Sequence, residues 1–259
     1  MLWRMSRTPT ALTIITGHSR GLGEALARQC LQAGHLVIGI ARHRHTGLDA
    51  EALRDEAPFQ QWEHDLAEPQ AAGWALLEWL QAQPADRFRH ATLINNAGVL
   101  APPRPLADSD PGDTARVLRV GLEAAMTLTG LFLRGTQDWS AQRKVLNISS
   151  GLGRRAMAGS AAYCAAKAGL DHFTRAVALE QAALPNGARL VSMAPGVVDT
   201  DMQQQLRGAD PAAFPDQGRF QALWDQGQLA TPEATARQLL ARLERSDFGS
   251  EPIGDVREG

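Results

Sequence analysis

Short apolar runs alternate along the chain with longer stretches in which apolar residues recur at helical spacing. The runs, rich in Val, Ile and Leu, are Ala11–Thr16, Leu36–Ala41, Ala91–Asn95, Lys144–Ser149 and Arg189–Ala194. Runs of this length without polar alternation are typical of strands that are buried on both faces of a parallel sheet. The pattern therefore predicts strands at these positions.

The stretches between the runs predict helices at about 21–33, 70–83, 111–138, 160–183 and 232–246. In the first of them, Leu22, Leu26 and Cys30 lie on one helix face. Strands that alternate with helices need crossover connections, and these place helices on both faces of the sheet. The expected fold is α/β, a doubly wound parallel sheet in three layers, α/β/α.

One segment, residues 201–230, breaks this alternation. It contains Gly208 and Pro211 among polar residues and predicts an inserted loop with short helices. Such a loop near the carboxyl ends of the strands commonly covers a ligand, and Trp224 would either stack on that ligand or anchor the loop. Because no repeat or long linker occurs elsewhere, residues 1–259 are expected to form one domain that carries this substrate loop.

Composition and charge exclude several classes of protein. Of the 259 residues, 44% are hydrophobic and 21% are charged, which is typical of a globular protein and unlike a disordered chain. The net charge is −2 and there is no basic run, so a nucleic-acid partner is not expected. No apolar run approaches the roughly 18–20 residues that span a bilayer, and no membrane partner is expected.

The N-terminus and the cysteines bear on location. Met1–Pro9 is short and polar, unlike a secretory signal, and a start at Met1 or at Met5 stays open. Two cysteines, Cys30 and Cys164, make no disulfide framework, and the scattered histidines lack metal-ligand spacing. A cytoplasmic protein without a bound metal is the expectation.

A glycine-rich turn, TGHSRGLG at residues 16–23, joins the first predicted strand to the first predicted helix. Glycines let the backbone approach a pyrophosphate closely, and a helix start offers free N–H groups and the positive end of its dipole. The strand before and the helix after favour dinucleotide binding over an ordinary tight turn. The residues of this turn expected to bind the cofactor are Gly17, Ser19, Arg20, Gly21, Leu22 and Gly23.

The end of the second predicted strand bears on which dinucleotide binds. An NAD site usually has an acid there, on the ribose 2′-hydroxyl. Here the strand runs into Arg42-His43-Arg44, and Arg42 together with Arg20 suits a 2′-phosphate. The alternative is that Arg42 is a solvated loop charge. The sequence favours NADPH/NADP+ as the cofactor, over NADH.

Tyr163 and Lys167 are four residues apart near the start of a predicted helix and so share one helix face. A free tyrosine has a pKa of about 10, and a neighbouring cation is expected to lower that pKa toward neutrality. Tyr163, the only tyrosine in the chain, is therefore the candidate acid. Ser150 follows an apolar run and is placed to hydrogen-bond a substrate oxygen; the alternative is a turn serine that bonds the backbone.

Five motifs together resemble the classical short-chain dehydrogenase/reductase family over about residues 10–255. They are the glycine turn, Asn95-Asn96-Ala97-Gly98, Ser150, the pair Tyr163 and Lys167, and Pro195-Gly196-x-x-x-Thr200. Each motif is weak alone, but five in order are specific. The resemblance implies a Rossmann-type fold in which Ser150 anchors the substrate, Tyr163 is the acid/base and Lys167 holds the nicotinamide ribose.

The resemblance implies further cofactor contacts. Asn95, Ala97 and Gly98 would line the adenosine side. Asp65 and Leu66, which would follow the third strand of the family's fold, would lie at the adenine; the alternative for Asp65 is to cap a turn. The remaining contacts would come from the last motif, at Pro195, Gly196, Val198 and Thr200. Of these, Val198 and Thr200 would hold the carboxamide.

Three stretches, residues 21–25, 161–169 and 194–203, carry a closer resemblance to the benzil reductase ((S)-benzoin forming) branch, which is similar to sepiapterin reductases. That branch implies an NADPH-dependent enzyme that reduces one carbonyl of an aromatic 1,2-diketone. Alternatives are a pterin side-chain diketone as substrate, and a non-catalytic NADPH-binding regulator on the same fold. The family's use of its two long helices as subunit contacts implies a homodimer or homotetramer.

The chain departs from the family pattern at Gly121, where the family usually has an Asn that holds a proton-relay water. A second water would replace the missing amide, or turnover would be slow. A glycine within a helix also costs about 0.5–1 kcal/mol relative to alanine. Its presence indicates a local need for close backbone approach or for flexibility.

Overall fold

The computed structural model describes residues 9–258, and all bounds refer to that range. Its strands are β1 Ala11–Thr16, β2 Leu36–Ala41, β3 Phe59–Glu63, β4 His90–Asn95, β5 Gln142–Ile148, β6 Arg189–Ala194 and β7 Ile253–Asp255. Its helices are α1 Gly21–Gln32, α2 Thr46–Arg54, α3 Pro69–Gln81, α4 Pro111–Leu118, α5 Ala124–Gly135, α6 Ala161–Ala182, α7 Asp201–Arg207, α8 Gln217–Asp225 and α9 Pro232–Glu244. None of the helices in this range is long and apolar enough to cross a membrane.

The seven strands form one parallel sheet in the spatial order β3-β2-β1-β4-β5-β6-β7. Strands β1 to β3 extend to one side and β4 to β7 to the other, so the order reverses between β1 and β4. In open α/β sheets the crevice at this reversal, outside the carboxyl ends of the strands, is where ligands bind. The predicted doubly wound sheet is confirmed.

Helices cover both faces of the sheet because the strands bury side chains on both sides. On one face Leu12 and Ile14 pack in a core with α3, α5 and α6. On the other face Ile15 and Val37 pack in a second core with α1, α2 and α9. Each such side chain, fully buried, contributes about 1.5–3 kcal/mol of transfer free energy.

The predicted strands are confirmed with end shifts of at most two residues. The strands that lack an apolar run, β3 and β7, lie at the two edges of the sheet, where burial is incomplete. Edge strand β3 has the sequence FQQWE and is only half-buried, and β7 at the other edge has three residues. Helix α2 is missing from the sequence-based prediction because it buries only Leu48 and Ala52.

The predicted helix over 111–138 is interrupted in the structure. It divides into α4, a π-helical turn at Arg119–Glu123, and α5. In the segment 201–230, the predicted short helices are confirmed as α7 and α8. The rings of Phe214 and Phe220 stack on each other within this segment, with centroids 5.8 Å apart. They also pack in one cluster with Leu152 and Met157, which joins the segment to the body of the protein.

Candidate active site

A cavity of about 860 Å³ runs along the carboxyl edge of the sheet. It is bordered by the turn after β1, the ends of β2, β4, β5 and β6, the start of α6, and the two helices of the 201–230 segment. All the residues predicted to bind cofactor or substrate line it, except Asn95. The volume is in the range of ligand-binding cavities in proteins, about 300–1,000 Å³.

The turn between β1 and α1 has a backbone that only glycine adopts easily. Gly17 and Gly21 have φ of +69° and +55°. At Gly23 a Cβ would lie 2.0 Å from the carbonyl oxygen of Gly17, so the turn closes directly on the first turn of α1. Arg20 precedes that helix without a side-chain cap, which leaves the first N–H groups of α1 facing the cavity. This arrangement is a ready-made site for a phosphate.

The expectation that Asn95 lines the cofactor cleft is wrong. Its side chain is buried beneath the cavity, where the amide donates to Thr129 Oγ1 at 3.0 Å and to Asn147 Oδ1 at 2.8 Å. The next residue, Asn96, lines the cavity instead and donates to the carbonyl oxygen of Thr16 at 3.0 Å. Because successive strand residues point to opposite faces, one position decides which asparagine faces the cleft.

The arginines at the end of the cleft where the adenosine is expected differ in their partners. Arg42, directly after β2, is exposed, lines the cavity and has no carboxylate within ion-pair distance among residues 9–258. Arg44 is bound to Asp49 at 2.9 Å, and Arg20 to Asp201 across the cavity at 2.9 Å. Arg42 is thus the guanidinium left available to a ligand, whereas Arg20 would first have to leave Asp201.

Asp65 combines both of its predicted interpretations. Its Oδ1 accepts a hydrogen bond from the backbone N–H of Ala67 at 2.9 Å, as a turn cap would. Its Oδ2 lies 3.7 Å from Arg116, and the residue lines the cavity together with Leu66. The cap leaves the second oxygen at the cavity wall, so the two roles are compatible.

Ser150, Tyr163 and Lys167 lie together at the inner wall of the cavity. Ser150 follows β5, and its hydroxyl accepts a hydrogen bond from the backbone N–H of Leu152 at 3.2 Å. This is the backbone bond expected of a turn serine, the alternative interpretation of this residue. Tyr163 and Lys167 share one face of α6, with the ammonium 5.6 Å from the centroid of the phenol ring. The Lys167 ammonium donates to the carbonyl oxygen of Ile148 at 2.7 Å, which ties the helix to β5.

The expectation that Lys167 lowers the pKa of Tyr163 is wrong for the free protein. Burial raises the pKa of Tyr163 to about 12, and the hydrogen bond with Ser150 only partly opposes this. Burial also lowers the pKa of Lys167 to about 8, against the opposing charge of Asp171. In both groups the largest effect is desolvation, because burial disfavours the charged form. Tyr163 is therefore a neutral phenol at pH 7, the form that donates a proton.

The segment after β6 closes the end of the cleft where the nicotinamide is expected. Pro195, Gly196, Val198 and Thr200 all line the cavity, and Gly196 has φ of +77°. A Cβ on Gly21 would lie 3.3 Å from the methyl group of Thr200, so this segment closely approaches the phosphate turn. A pairing of Val198 with Ala230 holds it in place.

An apolar patch lies beside Tyr163 under the 201–230 segment. Its members that line the cavity are Leu100, Leu152, Met157, Leu206 and Phe220. Trp224 does not line the cavity; its ring stacks on the Arg207 guanidinium at 4.2 Å, which supports the loop-anchoring interpretation. Gln203, which sequence reasoning missed, lines this end with a buried amide oxygen that has no partner among the described residues.

Gly121 is buried in the π-helical turn and packs against α6. A Cβ at this position would lie 3.3 Å from Cβ of Ala166, next to Lys167. The glycine thus lets the π-helical turn and α6 approach each other closely beside Lys167. Close approach, rather than flexibility alone, accounts for its presence.

Two glycine substitutions test this explanation. Gly130 in α5 is exposed, and a Cβ there would meet nothing within 4 Å. Gly130→Ala is expected to stabilise the protein by about 0.5–1 kcal/mol, the usual helical gain. Gly121→Ala is expected to lose that gain or to destabilise, because Ala166 must move. Urea unfolding of both variants measures this, and equal stabilisation by the two would contradict the packing argument.

Comparisons with known proteins agree with this architecture. A family model described as short chain dehydrogenase matches residues 11–211. A benzil reductase ((S)-benzoin forming) of Bacillus cereus is 36% identical over 245 residues, covering 94% of this chain and 96% of the relative. A sepiapterin reductase of Meriones unguiculatus is 30% identical over 255 residues, covering 93% and 94%.

A solved structure adds to these relatives. It is a Beutenbergia cavernae protein assigned as an NAD(P)-dependent gluconate 5-dehydrogenase, with NADP bound at low occupancy, and it is 26% identical with a TM-score of 0.78 over 97% of this chain and 96% of the other. Fold and cleft define an oxidoreductase that binds a nicotinamide cofactor. The chain belongs to the short-chain dehydrogenase/reductase family.

Proposed function

We propose that the protein is an NADPH-dependent reductase that converts a carbonyl into a secondary alcohol, with one carbonyl of a 1,2-diketone such as benzil as substrate. The observation that carries the proposal is the position of Ser150, Tyr163 and Lys167 directly beside the apolar patch. An aryl ketone has both the oxygen that the hydroxyls bind and the apolar body that the patch favours. The 36% identity to a benzil reductase supports the same class of substrate.

The residues of the cleft fit a dinucleotide that carries a 2′-phosphate. The tight glycine turn closes on the start of α1, and the first N–H groups of this helix face the cavity, where they would bind a pyrophosphate. The available Arg42 guanidinium stands where an NAD site has an acid, which favours NADPH over NADH. A bound NADPH supplies the hydride.

The protein's own groups supply the proton and orient the carbonyl. Tyr163 donates its phenolic proton to the carbonyl oxygen as that oxygen becomes an alkoxide. Ser150 donates a hydrogen bond to the same oxygen and polarises the carbonyl before reaction. Lys167, mostly charged at pH 7 with a pKa of about 8, stabilises the phenolate that Tyr163 leaves behind.

A second candidate substrate is a pterin side-chain diketone. The similarity to a sepiapterin reductase supports it, and so does the unpartnered amide oxygen of Gln203, which has no hydrogen bond within the described residues, at the substrate end. A pterin ring carries donors that would satisfy this oxygen, whereas benzil carries only its two carbonyls. Gln203 would therefore accept a hydrogen bond from a pterin substrate but not from benzil.

The test follows the absorbance of reduced nicotinamide with purified protein, benzil or sepiapterin, and NADPH or NADH. Benzil with NADPH is expected to give the highest kcat/KM, exceeding NADH by about tenfold or more, because one charged hydrogen bond is worth about 1.5–3 kcal/mol. A higher kcat/KM for sepiapterin would make the pterin side-chain diketone, and not benzil, the proposed class of substrate. Tight NADPH binding without turnover on either substrate would favour the non-catalytic regulator.

A further inference from the structure

We propose that Asp171 is a positioning residue, whose carboxylate binds both ends of the turn that carries Ser150 and thereby fixes Ser150 against Tyr163 and Lys167. The proposal rests on the reductase function above for its effect on turnover. The contacts that carry it belong to the free protein and are tested separately from activity.

Asp171 lies on the same stripe of α6 as the two catalytic candidates. Tyr163, Lys167 and Asp171 are spaced four residues apart and therefore share one helix face. Asp171 is 2% exposed. A buried carboxylate is costly unless donors surround it, so its partners indicate what it is for.

Two of those partners flank Ser150 in the chain. Before it, the Ser149 hydroxyl donates to Asp171 Oδ1 at 2.6 Å. After it, the Arg154 guanidinium donates to Asp171 Oδ2 at 3.2 Å. The segment between them is Ser150 and the 3₁₀ turn Gly151–Gly153. One carboxylate on the catalytic helix thus binds both ends of the turn.

The turn lies directly on the helix at this point. A Cβ on Gly153 would be 2.9 Å from the carbonyl oxygen of Lys167 and 3.0 Å from Asp171 Oδ2, so a glycine is needed for this contact. Arg154 also donates to the carbonyl oxygen of Gly254 at 2.8 Å, which extends the link to β7. The turn therefore has little freedom to slide along α6.

A third donor to Asp171 serves as the control. The Ser192 hydroxyl, from β6, donates to the same Oδ1 at 2.6 Å. Ser192 is as deeply buried as Ser149 but is not part of the Ser150 turn and does not line the cavity. Removal of its hydroxyl costs Asp171 one hydrogen bond and leaves both ends of the turn attached.

The experiment compares amide hydrogen exchange of Gly153, Arg154 and Arg155, whose N–H groups bond within the turn. Ser149→Ala and Arg154→Met, each of which frees one end, are expected to speed this exchange about tenfold, whereas Ser192→Ala changes it less than about twofold. Arg154→Lys keeps a charged donor and is expected to restore part of the protection. Asp171→Asn offers one acceptor oxygen where two are needed, and it is expected to speed exchange in the turn more than either single-end variant does.

Turnover gives the second readout. With benzil and NADPH, Ser149→Ala and Arg154→Met are expected to lower kcat about tenfold while the Kd of NADPH, measured by its fluorescence, stays within about twofold. If Asp171→Asn fails to fold, the two single-end variants decide. The proposal is wrong if neither of them speeds exchange in the turn, or if Ser192→Ala has the same effect as they do. Absence of turnover in the unmodified protein would overturn the reductase function, while the exchange data would still decide the role of Asp171.

Discussion

Replacement of Tyr163 by phenylalanine is expected to lower kcat for carbonyl reduction about 10³-fold, within the range that general acids contribute. The substitution removes one oxygen and keeps the ring, which packs against the apolar cluster that contains Leu152 and Phe220. The fold and the apolar patch are therefore retained. Steady-state NADPH oxidation measures kcat, and single-turnover NADPH oxidation then isolates the chemical step from product release.

The control for the Tyr163→Phe variant is cofactor binding. Tyr163 is also a predicted cofactor contact, so its hydroxyl contributes at most one hydrogen bond to NADPH. The phosphate turn and Arg42 are unaltered, and the Kd of NADPH is therefore expected to rise by less than about tenfold. Turnover that survives the loss of the phenol would remove Tyr163 from the role of acid. Because the chain has one tyrosine, the same variant is also the blank for an ultraviolet titration of the phenol. In the unmodified protein no phenolate is expected below about pH 11, since burial raises the pKa to about 12.

Replacement of Arg42 by alanine is expected to raise the Kd of NADPH about tenfold to a hundredfold and to leave the Kd of NADH within about twofold. The physical reason is that a charge-assisted hydrogen bond to a phosphate is worth about 1.5–3 kcal/mol, and NADH offers no 2′-phosphate to bind. Fluorescence titration of the reduced cofactors measures both constants without a substrate. The result is therefore independent of which carbonyl the enzyme reduces.

Arg44→Ala is the matched control. Arg44 lies two residues further along the same loop and also lines the cavity, but Asp49 holds it at 2.9 Å. Its loss is expected to change the Kd of NADPH less than the loss of Arg42. Equal effects of the two substitutions would indicate general attraction by a positive loop, and no effect of either would leave Arg42 as a solvated charge.

Much of the architecture follows from local patterns. Central strands such as β1 and β6 are visible in the chain because burial on both faces demands uninterrupted apolar runs. The phosphate turn is visible because its backbone requires glycine at Gly17, Gly21 and Gly23. Edge strand β3 is not visible in this way, since its half-buried residues include Gln60 and Gln61.

Some features of the candidate site can likewise be predicted from the sequence, and others cannot. Ser150, Tyr163 and Lys167 are recognisable in the sequence because their spacing and order carry the chemistry, and the structure places all three on one wall of the cavity. The prediction for Asn95 is wrong by one position, because which asparagine faces the cleft depends on the phase of β4. The predicted direction of the pKa shift of Tyr163 is wrong, because the spacing of residues identifies the neighbouring cation but does not show how deeply the phenol is buried.

The chain alone therefore determines the order of the elements and the glycine turn, and it identifies the candidate reacting side chains, since each depends on residues close together in sequence. What the tertiary structure decides depends on which groups meet in space. Arg44 has Asp49 as its partner while Arg42 has none among residues 9–258, and Gly121 meets Ala166. Asp171 reaches back 22 positions to Ser149 to hold the turn around Ser150. Such contacts form only when helix and strand ends meet at one edge of the sheet, and no local pattern encodes them.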